Sequence, residues 1–401
     1  MKNLRRFCSL IILLTAPLAS VAVRGGATAS PAKAYRAYVG TYTAKTNSKG
    51  IYEFELDSTT GKMSAIEVAG ETKDPSWVVV HPNGKFLYSV NETGKASTVS
   101  AFAIEPRTGK LTQLNQMPAL GEDPCYLSFD KTGKFLFVAN YTSGNVVAFP
   151  ILADGKLGEH TGLQQDRGTL GANKERQEAP HAHWIRQMWD EVFVADLGLD
   201  RILVYEFDWA KGVLAPMPEP GPKNIRPQRP VVLSPGSGPR HVAISRAQDR
   251  NQKLMTFMYV LGELDSSITI IGTTKEGDFG GAGQKIPMLP ADFSGRNDAA
   301  EIEIHPNGRF LYASNRGHDS IVVYEIEKER GRLNQVADVP TGGKEPRHFA
   351  IDPTGHFLLA ENQLSDTIVE FRIDPATGNL TPTGQTISVP SPVCIAFLSN
   401  D

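Results

Sequence analysis

Residues 299–320 read AAEIEIHPNGRFLYASNRGHDS. Apolar residues alternate with Glu301 and Glu303 from Ala300 to Ile304, and a second run rich in aromatic and apolar residues extends from Arg309 to Ser314. Two such runs around Pro306-Asn307-Gly308 form the pattern of a β-hairpin, in which Asn-Gly predicts a two-residue turn. The second run stops abruptly at Asn315-Arg316.

The unit recurs along the chain. PSWVVVHPNGKFLYSVNE begins at Pro75, PCYLSFDKTGKFLFVANY at Pro124 and PRHFAIDPTGHFLLAENQ at Pro346. Two copies are looser: PHAHWIRQMWDEVFVADL from Pro180, and PRHVAIS from Pro239, whose partner MYVLGEL follows an insert around residues 246–254. Outside each hairpin lies a strand, a glycine turn and another strand, with turn glycines at Gly61, Gly109, Gly155, Gly212, Gly277, Gly331 and Gly378. Seven outer turns against six hairpins leave one hairpin to be split between the chain ends. Pro392–Phe397 resembles its first strand and Ala37 to Tyr42 its second. Each half alone would expose an edge and an apolar face. The expected fold is therefore all-β: a seven-bladed β-propeller of four-stranded antiparallel blades, its ring closed by the N- and C-terminal strands.

The first residues have a different character. Lys2, Arg5 and Arg6 precede an apolar run from Phe7 to Val23, followed by small residues. That is the order of a secretory signal peptide, with Ser20-Val21-Ala22 and Ala27-Thr28-Ala29 both fitting a cleavage site. The run is interrupted by Pro17 and falls short of the roughly 20 residues of a spanning helix, so no membrane attachment is expected after cleavage. The expectation is a signal peptide over residues 1–29, a propeller domain over 30–401, and export to the periplasm or medium. The whole chain carries a net charge of −3; without residues 1–29 it has 37 basic and 44 acidic residues, a net of −7. That balance disfavours nucleic-acid partners. Cys8 lies in the leader, while Cys125 and Cys394 fall on inner strands of non-adjacent blades. A disulfide needs Cα atoms within about 7 Å, so both are expected as free thiols.

Within a blade, the inner strand starts and the second strand ends on one rim. The long connections at 158–179, 215–238 and 286–298 run on that same rim, and binding residues concentrate on such loops. The hairpin openings supply Ser76, Cys125, His181 with His183, Arg240 with His241, Glu301, and Arg347 with His348. The second-strand ends supply Glu92, Asn140-Tyr141, Asp196, Glu263, Asn315-Arg316 and Asn362-Gln363. His81, His305 and His356 sit at the opposite turns and read as structural, as does the recurring Asn, whose amide can cap the following turn. The departures from the repeat carry more information: Glu263 in place of that Asn, Arg240 and Arg347 in place of Ser or Cys, and Arg316. Packing needs none of these charges. Placed near a pore they require partners, either one another or a ligand.

The segments GTYT (from Gly40), HPNGKFLYSVNE, VANYTSGNV, PHAH, ADLGLDR, GPRH, the 299–320 stretch and PRHFAIDPTG together resemble the lactonase family of seven-bladed β-propellers over roughly residues 36–398. This family includes propeller-type 6-phosphogluconolactonases and carboxy-cis,cis-muconate cyclases. In the muconate branch a His, a Glu and two Arg lie at the pore mouth. The resemblance carries these onto His181 or His183, Glu263, Arg240 and Arg316. It implies hydrolysis of a sugar lactone; the sequence shows no glycine-rich phosphate cradle, and arginine clusters bind carboxylate as readily as phosphate.

Two function classes follow. As a hydrolase with no metal or other cofactor, the protein would use His183 or Glu263 as base and Arg240 or Arg316 to stabilise the oxyanion. Arg347 would anchor an anionic lactone, with His181, Glu92, Glu301 and His241 as further substrate contacts. As a non-catalytic module, the same mouth would hold an anionic ligand or a protein. A calcium-dependent variant would use the pore carboxylates, but the interleaved arginines oppose a dication.

Overall fold

The computed structural model describes residues 34–217, 231–248, 254–273 and 279–398; the expected signal peptide, Gly277 and much of the 215–238 connection lie outside the described residues. The described residues form seven antiparallel sheets arranged as successive blades. Blade 1 joins Pro392–Phe397 to Ala34–Thr41, pairing Ala37 with Phe397 and Gly40 with Cys394, and adds Gly50–Asp57 and Glu67–Glu71. The ring is thus closed by strands from both ends. Blades 2 to 7 begin with inner strands Val78–Val80, Pro124–Phe129, Ala182–Met188, Pro239–Gln248, Asp298–Ile304 and Pro346–Ile351. Blade 4 carries an additional short strand, Val231–Val232, on its third strand.

Seven apolar clusters fill the seven blade interfaces, one per neighbouring pair. This explains the sequence pattern. Middle strands such as Phe310–Arg316 are buried almost throughout because both faces meet a blade, while the outer strand Leu333–Pro340 is largely exposed. The outer turns lock onto the preceding blade. Gly378 has φ +76° and a Cβ there would lie 2.6 Å from Phe310, while the Tyr312 hydroxyl donates to the Gly378 carbonyl at 2.8 Å. Cys125 and Cys394 are buried free thiols.

The 299–320 hairpin differs from expectation in its turn. Ile304 pairs with Leu311, and His305 N–H reaches the Phe310 carbonyl at 2.9 Å, so four residues rather than two connect the strands. A tight turn from His305 to Gly308, with Gly308 at φ +70°, precedes Arg309. His305 orders it: Nδ1 accepts from Asn307 N–H at 3.1 Å and Nε2 donates to the Gly355 carbonyl of the next blade at 2.7 Å. His81 repeats both bonds toward Asn83 and Gly133.

Candidate functional site

The inner strands share one irregularity. The register against the second strand slips between Pro124 and Tyr126, Ala182 and Trp184, Pro239 and Val242, Ala299 and Ile302, and Pro346 and His348. Each slip is a β-bulge, which re-aims the extra residue. The bulged residues are Cys125, His183, Arg240 with His241, Ala300 with Glu301, and Arg347. Several of the sequence-predicted site residues are thus the unpaired residues of a repeated distortion.

A cavity of about 320 Å³ opens here, with Cys125, His183 and Arg347 in its wall together with Glu92, Tyr141 and Glu263, which directly follow second strands, and Arg316, which ends one. Glu263 had been aligned with the recurring Asn; pairing of Gly262 with Ser267 and of Asn140 with Asn145 shows that Gly262 holds that place. Glu263 is instead the counterpart of Glu92 and Tyr141. The recurring amides are structural: Asn91 donates to the Lys73 carbonyl at 2.5 Å, Asn140 to the Ala119 carbonyl at 3.1 Å, and Asn315 accepts from Asn297 at 3.0 Å.

Glu263 is the electrostatic centre. Its Oε1 lies 2.6 Å from Arg176 Nη2, and its Oε2 lies 2.9 Å from Arg240 Nε and 3.2 Å from Arg316 Nη2. The Arg240 contact is ionic, with an angle unsuited to a hydrogen bond. Burial pushes the Glu263 carboxyl up, but Arg316, Arg240, His183 and Arg176 outweigh it and hold the group well below the usual carboxylate range. Burial also lowers Arg240, to about 10, helped by Arg316 and Arg347. Arg240 Nη1 additionally donates to the Ala300 carbonyl.

Two of the long connections complete the mouth. Arg176 reaches from the first to bond Glu263 and the Tyr141 hydroxyl, the latter at 3.3 Å. Arg296 and Asp298 come from the third, paired at 2.8 Å, and Asp298 also meets Arg176 at 3.4 Å. Arg176 and Arg296 lie outside the repeated hairpin openings, which is why the repeat did not single them out; Asp298 is the first residue of its inner strand, paired with Arg316. On the opposite wall, Glu92 accepts from Tyr42 at 2.8 Å and Ser76 at 2.5 Å. Arg347 lies over the Tyr42 ring, 5.5 Å from its centroid, and among the described residues it has no ion pair. Four guanidinium groups (Arg176, Arg296, Arg316, Arg347) therefore line the cavity with three carboxyls (Glu92, Glu263, Asp298), and a fifth, Arg240, is buried against Glu263.

The two histidines of PHAH separate. His183 lines the cavity, is 4% exposed, and its Nδ1 has no hydrogen-bond partner. Burial, then Arg240 and His241, hold its imidazole well below the ordinary range, hence neutral near pH 7. His181 is stacked on Tyr141 at 4.5 Å, with Nδ1 3.0 Å from the Tyr141 carbonyl and Nε2 3.2 Å from Glu178. Arg240, His181, His241 and Glu301 are not among the residues lining this cavity; Arg240 reaches it only through Glu263. Cys125 does line it, but burial pushes its thiol far up, so it offers no thiolate.

The floor consists of the next residue on each inner strand. Trp77 stacks on Tyr126 at 4.4 Å, and Tyr126 packs against Trp184 at 6.2 Å. His241 lies 5.1 Å from Tyr126 and 5.2 Å from both Trp77 and His183. Glu301 and His348 complete it, His241 Nδ1 being 2.9 Å from Glu301 Oε2. Among the described residues, no three His, Cys, Asp or Glu side chains converge on a point that could hold a metal ion.

The comparisons agree with this architecture. The sequence profile of the family described as "Lactonase, 7-bladed beta-propeller" matches residues 36–397. A 6-phosphogluconolactonase of Bacillus subtilis is 36% identical over 367 residues, 91% of this chain and 98% of its own. One from Formosa agariphila is 32% identical over 324 residues, 78% and 85% of the two chains. The structure of a periplasmic gluconolactonase from Pseudomonas aeruginosa superposes with a TM-score of 0.80 at 29% identity, covering 92% of this chain and all of that one. The chain belongs to the lactonase family of seven-bladed β-propellers.

Proposed function

We propose that the protein hydrolyses an anionic sugar lactone, of the 6-phosphogluconolactone or aldonolactone class, in the mouth cavity. The observation that carries this reading is His183, a buried neutral imidazole with an unpartnered ring nitrogen, set among arginines held by Glu263. A neutral imidazole can take a proton from water as the water oxygen attacks the lactone carbonyl. Arg240 and Arg316, fixed before substrate arrives, stabilise the oxyanion that forms. Glu263 is too acidic, held by its arginines, to serve as the base; it orients them. Arg347, with no ion pair among the described residues, anchors the anionic substituent beside Glu92 and Tyr42. The excess of guanidinium groups supports an anionic substrate and opposes a dication at the same place.

The names of the two curated relatives support a phosphorylated lactone, and that of the Pseudomonas structure an unphosphorylated one. Turnover of both by the purified protein, with and without chelator, tests the proposal. Hydrolysis that survives the chelator supports it; failure on every aldonolactone removes it. The leader-like residues 1–29 support export, which the N-terminal mass of protein recovered from the medium or periplasm checks.

A further inference from the structure

Beyond the floor lies a second cavity of about 420 Å³, walled by inner strands as they run toward the opposite rim. His241, Glu301 and His348 belong to the floor and also line this cavity. On blades 2 to 4 the floor is built from Trp77, Tyr126 and Trp184, so packing alone is served by aromatic rings. On blades 5 to 7 it is a polar series, which the blade 4 residue His183 meets edge-on without a hydrogen bond. His183 adjoins the His241 ring at 5.2 Å, His241 Nδ1 lies 2.9 Å from Glu301 Oε2, and the same oxygen lies 3.5 Å from His348 Nε2. Burying such groups is unfavourable unless they are paired, and their presence across only one side of the floor calls for a reason.

We infer that His241, Glu301 and His348 carry the proton released by lactone hydrolysis from His183 to the second cavity, an inference that rests on the hydrolase reading above. In the reaction the water oxygen bonds the carbonyl carbon, the ring C–O bond breaks, and the leaving oxygen takes a proton. The carboxylic acid so formed ionises near neutral pH, so each turnover leaves one proton to be removed, with no change of oxidation state. At the mouth the bound product stands between that proton and solvent. Through the floor it passes between groups of converging proton affinity. Burial raises Glu301 and lowers His241 and His348, the last to about 4. The other charged groups facing the path are Arg240, within 3.4 Å of both His241 ring nitrogens, and Glu361, 2.5 Å from His348 Nδ1. Glu303 and Arg186 stand in the wall of the second cavity.

The test is steady-state kinetics of the wild type, Glu301→Gln and His348→Gln across neutral pH, at rising concentrations of imidazole as a diffusible proton carrier. At low buffer, Glu301→Gln should lose roughly 10-fold or more in kcat, with KM unchanged, and regain it as imidazole rises. Wild-type kcat in both variants, or a loss that imidazole does not restore, overturns the relay, since a floor needed only for packing would not respond to a proton carrier. If Glu301→Gln does not fold, His348→Gln decides on the same readout. An inactive wild type removes the hydrolase reading and the relay with it; an active wild type with fully active variants removes the relay alone.

Discussion

The two rims of the ring treat the same residue type in opposite ways. At the hairpin turns, His305 has both ring nitrogens committed, one to its own turn and one to the next blade, and His81 repeats the arrangement. At the mouth, His183 is as deeply buried, yet its Nδ1 has no partner. A buried, unsatisfied polar atom costs about 1–3 kcal/mol, and such a cost persists at positions where a ligand or reaction makes use of the group. The arginines follow the same division. Arg309, at the turn rim, is half exposed and pairs loosely with Glu325 at 3.5 Å, whereas three guanidinium groups at the mouth converge on a single carboxylate.

The strongest way to break this comparison is to remove charge from each rim in turn. Arg240→Ala should lower kcat on a responsive lactone by about 10²–10³-fold, while Arg309→Ala leaves kcat at the wild-type value. Glu263→Gln should act on both activity and stability. Three guanidinium groups lose their shared counter-charge, and the protein should be destabilised by on the order of 3 kcal/mol in denaturant titrations, with kcat reduced. Arg347→Ala should raise KM for a phosphorylated lactone by roughly 10-fold and change it little for the neutral counterpart, because one charge-assisted contact is lost.

The pH dependence sharpens the contrast further. Because His183 is held well below the ordinary imidazole range, it stays unprotonated as pH falls through 6.5, so kcat/KM should remain flat there and drop only at more acidic pH. The same shift bears on stability: the unfolded chain takes up a proton on this histidine below about pH 6.5 before the folded one does, so stability should fall as pH drops. The smallest effect is expected for His305→Ala, which removes an inter-blade bond and should lower Tm by roughly 2 °C with kcat unchanged.

The blades were legible because two periodicities coincide: alternation within each strand, and recurrence of the hairpin with its glycine turn. The count of seven came from an absence, the hairpin divided between Ala37 and Phe397, which the closing strand pair supplies. The positions of the mouth residues were legible as ends of repeated strands. Which of His181 and His183 faces the cavity was not, because a bulge shifts the register by one residue and the sequence carries no sign of it. The same is true of Glu263, whose place in the repeat is one residue beyond Gly262. Arg176 and Arg296 stand on connections with no repeated counterpart, so comparison among blades had nothing to set them against. The turn at Pro306 was misread because a four-residue connection organised by His305 uses the same Asn-Gly pair as a two-residue one.

The PHAH segment offers the most direct test of the mouth as the hydrolytic site. Lactone turnover by His183→Ala and His181→Ala, two substitutions two residues apart, should diverge. The account predicts a loss of about 10²–10⁴-fold in kcat for His183→Ala and a rate within a few-fold of wild type for His181→Ala. Equal rates in the two variants, or a larger loss for His181→Ala, would contradict it.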